Sequence, residues 1–86
     1  MTKLNTYQLV CVHTNHNGTI RYDFISDFIV GHMPAYYRLA DKHTELAAKG
    51  LQPSIIWRDL FFVGTDVYRL LKVDPTKPAR HGLQGW

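Results

Sequence analysis

The chain has 86 residues, a formal net charge of +3 and one cysteine. A chain this short makes one domain that buries roughly 60–65% of its unfolded surface, so its core is modest. Its apolar content excludes disorder, its lone cysteine excludes an internal disulfide, and no apolar run approaches the roughly 18 residues of a membrane span.

Thr6 to His13 alternates as a strand, with Tyr7, Leu9 and Cys11 on one face and Gln8, Val10 and Val12 on the other. A turn over 14–18 follows, because Asn17-Gly18 tolerates the positive φ of tight hairpins. Thr19 to Ile25 is the return strand, with Ile20, Tyr22 and Phe24 toward the core. Ser26-Asp27 is placed to cap a short helical turn through 28–30. Gly31 and Pro34 break that turn from a longer helix, with Pro34 in its first turn and its end near Lys49. Tyr36, Leu39, Ala40, His43, Leu46 and Ala47 form its apolar stripe, and Gly50 ends it.

Segments 55–57 and 60–63 are rich in strand formers. Gly64-Thr65-Asp66 fits a turn, and 67–73 a return strand. The rival arrangement makes Ser54 a helix cap and Val67, Leu70 and Leu71 a helical face, so that 55–73 forms helices. Pro75 and Pro78 stop regular structure. The expectation is an α+β fold: a single domain over 1–75 with a ββαββ-like antiparallel sheet and one helix packed on a face, then an extended tail over 76–86. Tyr7, Leu9, Ile20, Tyr22, Phe24, Phe61 and Leu70 are the expected inner face.

Chemistry-bearing patterns are sparse. Cys11, His13 and His16 read C-x-H-x-x-H, and three such ligands could converge on zinc. The spacing matches no standard zinc module, and the expectation is a packed thiol beside two solvated histidines, with no metal and no cofactor. His13, Asn15 and His16 share letters with H-N-H nucleases, but His43 has no second ligand at helical spacing. Asp23, Asp27, Asp59 and Asp66 read as surface and turn carboxylates. No phosphate-binding glycine loop is present. The expectation is a protein without enzymatic activity.

Binding is the better-supported class. Tyr36 and Tyr37 are adjacent and cannot both face a core from one helix; Phe61-Phe62 poses the same conflict on a strand. Apolar side chains left outside mark interfaces. The expected function is a non-enzymatic protein that binds a larger host or cellular protein or complex and inhibits it by occlusion. Phe28, Tyr37, Trp57, Arg58, Tyr68 and Trp86 are its expected contacts. In general character the chain is similar to the small accessory proteins with which phages and mobile elements bind and inhibit host factors; that likeness rests on no particular residue. The alternative is a basic nucleic-acid-binding module using Arg21, Arg58, Arg69, Lys72, Lys77 and Arg80 on a sheet face with aromatics. A homodimer through a sheet edge or Tyr37 is a further arrangement. The one thiol, and the lack of an apolar signal core in residues 1–5, place the expected location in the cytoplasm.

Overall fold

The computed structural model describes residues 4–74 and 76. It contains β1 (Thr6–Thr14), β2 (Ile20–Phe24), β3 (Ile29–Val30), α1 (His32–Ala48), β4 (Leu60–Val63) and β5 (Asp66–Val73). The strands form one antiparallel sheet in the order β2-β1-β5-β4, with β3 also paired to β1. This is the α+β architecture expected from the sequence, and the second apolar block is a hairpin, not a helix. No helix among the described residues is long and apolar enough to cross a membrane. The tail residues 77–86 and Pro75 lie outside the described residues.

The core forms where α1 meets the sheet. Leu9, Phe61 and Leu70 from the strands enclose Ala35, Leu39 and Leu46 of the helix. Tyr7, Ile25, Ile29, Ile56, Val63 and Tyr68 pack around them. Phe61 stacks on Tyr68 at 5.2 Å between ring centroids and meets the edge of His43 at 5.0 Å. His43 Nε2 also donates to the Ser54 carbonyl at 2.8 Å, tying the helix to the segment leading into β4.

Two expectations about faces and local structure are corrected. Ile20, Tyr22 and Phe24 do not share a face with Leu9. Thr14 pairs with Ile20 and Val12 with Tyr22, so even-numbered residues of β1 stand beside even-numbered residues of β2. A two-residue Asn17-Gly18 turn would have paired odd with even; the observed loop, 15–19, changes that parity and turns the whole set to the other face. The loop closes by Asn15 N–H to the Thr19 carbonyl at 2.8 Å, with Gly18 at φ +87°. Segment 28–30 is not a helical turn: Ile29 and Val30 pair with Tyr7 and Thr6 as β3. Ser26 does not cap it; its hydroxyl accepts from Leu9 N–H at 2.9 Å.

Helix α1 ends as the sequence predicts. Gly50 takes φ +88°, its N–H bonds to the Ala47 carbonyl, and Leu51 N–H reaches the Leu46 carbonyl. This pair of bonds is a Schellman cap, which needs a left-handed residue at that position. A Cβ on Gly50 would meet no atom within 4 Å, so the cost of replacing it is backbone strain alone. Gly50→Ala is expected to lose about 1–2 kcal/mol in a denaturant titration.

Candidate interaction surface and the cluster at the sheet end

Antiparallel partners share a face, so the register assigns every strand residue to a side. Tyr7, Leu9 and Cys11 stand with Lys72, Leu70 and Tyr68 on the side that carries α1. The other side carries Thr6, Gln8, Val10 and Val12 of β1. Beside them stand Val73, Leu71, Arg69 and Val67 of β5, Leu60 and Phe62 of β4, and Ile20, Tyr22 and Phe24 of β2. Val30 extends this side through its pairing with Thr6. α1 is the one helix among the described residues, and it lies on the opposite side. An antiparallel sheet with one face in water normally alternates apolar with polar. Here both sides are largely apolar, and Arg69 is the one charged residue that the strand pairings place on the side away from α1. The middle of that side is not bare: Val10 is fully buried and Thr6 and Gln8 nearly so, and its exposed large apolar residues, Ile20, Val30 and Phe62, lie toward the edges.

The β4 edge adds to that face. Trp57 and Leu60 form a bridge around Arg58 and Asp59, which sit at φ +51° and +62°. Two successive positive φ angles are what a type I′ turn requires, and for a residue such as Arg this costs of order 1–3 kcal/mol. The bridge sets Trp57 on the side of Leu60. Ile56 packs into the core, so its neighbours Ile55 and Trp57 point away from it. Trp57 is 61% exposed, Phe62 50% and Ile20 54%. The Arg58 guanidinium lies 4.5 Å from the centroid of the Trp57 ring, a cation–π contact at the turn. Asp59 accepts from His32 Nε2 at 2.9 Å, which anchors the turn to the first turn of α1.

The expected contact residues are thereby sorted. Trp57 and Arg58 are exposed at the β4 edge, and Phe28 is exposed in the loop between β2 and β3. Tyr37 is exposed on α1, on the other side of the sheet. Tyr68 is partly buried, stacked on Phe61 under the helix. Trp86, Lys77 and Arg80 lie outside the described residues. The remaining described basic residues of the set are divided: Arg21 and Lys72 stand on the helix-bearing side, Arg69 on the opposite side, and Arg58 at the turn. No sheet face collects them into a stripe. Ile20, Phe62, Val67 and Leu71 were not singled out from the sequence as contacts, because only the register shows which side they occupy.

A second feature lies on the helix-bearing side toward the 15–19 loop. His13 stands between two carboxylates, with Nε2 2.8 Å from Asp23 and Nδ1 2.9 Å from Asp66. Cys11, His13 and Asp66 each present a ligand atom within 4.8 Å of the others. His16, the third member of the sequence pattern, is exposed in the loop and is not part of this cluster. Burial raises the Cys11 thiol above its usual range against a side-chain hydrogen bond with Tyr68, and Asp66 and Asp23 raise it further. Tyr68 is pushed up to about 12, first by burial and then by its bond to Cys11.

Both groups therefore hold their protons in the folded state at pH values where the unfolded chain releases them, from model values of 9.0 and 10.0. The unfolded state then binds fewer protons, so stability is full below pH 9 and falls as pH rises toward 12. Tyr68→Phe is expected to flatten this alkaline loss, read as denaturation midpoints across that window.

The chain matches no protein-family model, no curated protein and no solved structure.

Proposed function

We propose that this protein is a non-enzymatic binding module that docks the exposed apolar β4 edge of its sheet, Phe62 with the Trp57–Arg58 turn, onto a larger protein and occludes a surface there. One observation carries this reading: large apolar side chains stand exposed at the edges of the sheet side away from the helix, Ile20 on β2 and Phe62 with Trp57 at the β4 edge, while Val10 in its middle is buried. Large exposed aromatics with an adjacent arginine are the residues that dominate protein interfaces. The strained turn presenting Arg58 over Trp57 fits the same role, since strain is retained where a side chain must be displayed. The free thiol Cys11 suits a partner in the cytoplasm. Inhibition of a host factor, in the manner of phage and mobile-element proteins, is the form of occlusion this reading takes.

The test is capture from nuclease-treated lysate at low and high salt. A protein retained stoichiometrically under both conditions by the wild type and by Tyr37→Ala, but lost with Phe62→Asp, supports docking through the sheet. Retention that disappears with nuclease, or falls steeply with salt, supports the nucleic-acid alternative. A monomer mass by light scattering at high concentration excludes self-association as the occupant of this edge.

A further inference from the structure

We infer that Cys11, His13 and Asp66 form a zinc site at the end of the helix-bearing sheet face. The three residues come from adjacent strands: Cys11 and His13 are two apart on β1, and Asp66 begins β5. Alternation puts both β1 residues on one side, and the thiol, imidazole and carboxylate atoms converge to within 4.8 Å. Tetrahedral zinc with bonds of about 2.0–2.3 Å sets its ligands about 3.3–3.7 Å apart. His13 Nδ1 and Asp66 are 2.9 Å apart, so small side-chain adjustments bring the set to that spacing. A soft thiolate, a borderline imidazole and a hard carboxylate make a mixed donor set that zinc or cobalt accepts, with a fourth position left to water.

The surroundings of His13 suit a ligand: it meets a carboxylate at each ring nitrogen, Asp23 at Nε2 at 2.8 Å and Asp66 at Nδ1 at 2.9 Å, so Nδ1 is the nitrogen beside the Asp66 donor. The outer contacts are those of a built metal site. Asp23 orients the histidine through its other nitrogen, and Arg21 in turn lies 3.4 Å from Asp23. Tyr68 is hydrogen-bonded to Cys11. Ligating histidines nearly always have such a carboxylate or carbonyl behind them. Binding displaces the Cys11 proton to solvent, so zinc uptake releases acid and weakens as pH falls.

The site lies on the opposite side of the sheet from the proposed docking residues Phe62 and Trp57, so either reading can fail without the other. The test is a cobalt(II) titration of the full chain kept reduced, read by the thiolate-to-cobalt charge-transfer absorption, followed by displacement with zinc and native mass spectrometry. One metal per chain is expected, with the absorption abolished by Cys11→Ser and lost or strongly weakened by Asp66→Asn. Asp23→Asn should weaken affinity by about 10–100-fold, while His16→Ala leaves it unchanged. Circular dichroism of each variant separates loss of ligand from loss of fold. No charge-transfer band in the folded wild type would overturn the site. A band that survives Cys11→Ser, or that vanishes with His16→Ala, would overturn this ligand set.

Discussion

Phe61→Ala is expected to cost about 3–5 kcal/mol, the range for emptying a fully buried aromatic position. Phe61 is fully buried between the Tyr68 ring and the His43 edge, with Leu9, Leu39 and Leu70 in the same cluster. None of these neighbours is free to collapse into the space. Leu9 and Leu70 are held by the β1–β5 ladder, and His43 is held by its bond to the Ser54 carbonyl. Small domains have total stabilities near the low end of about 5–15 kcal/mol, so this one substitution removes most of the folding free energy. At about 4–8 °C per kcal/mol, the fall in Tm is at least roughly 12 °C. Thermal and denaturant unfolding of the variant measure it directly, and a cost below about 1 kcal/mol would contradict the packing described here.

The neighbouring residue should behave oppositely. Phe62 follows Phe61 on β4 and points to the other side, where it is half exposed. Phe62→Ala and Trp57→Ala are expected to change stability by about 1 kcal/mol or less. Each should nonetheless weaken binding to the captured partner by about 2 kcal/mol or more, roughly 30-fold, as central aromatic contacts do. Arg58→Ala should show a smaller loss, because its guanidinium lies over Trp57 in solvent. The combination discriminates sharply: a variant that folds normally and binds poorly has lost a contact, not a structure. Unchanged affinity in both Trp57→Ala and Phe62→Ala would remove the β4 edge from the proposal.

Much of the architecture was legible in the sequence because it rests on local physical chemistry. Alternation over Thr6–Thr14, the apolar stripe of α1, Pro34 in its first turn, the Gly50 cap and the turn at Gly64 all depend on a few neighbouring residues. Trp57 and Arg58 were also visible, as an aromatic and a cation next to a strand edge. The cluster at the sheet end was half visible: Cys11 and His13 sit two apart on a strand. Asp66 comes from a distant strand, and His16 was the sequence neighbour in its place.

The tertiary structure decided what depends on register. The parity of the 15–19 loop sent Ile20, Tyr22 and Phe24 to the face opposite Leu9, beside the buried Val10 rather than under α1. No local propensity encodes that parity, because a one-residue change in pairing exchanges the two faces without altering either strand. The sequence by itself determined the first hairpin and the helix, while the strand at Ile29–Val30 and the hairpin course of the second apolar block came from the structure. Only the pairing of distant strands decided which side chains meet under α1, which face away from it, and which thiol, imidazole and carboxylate come together.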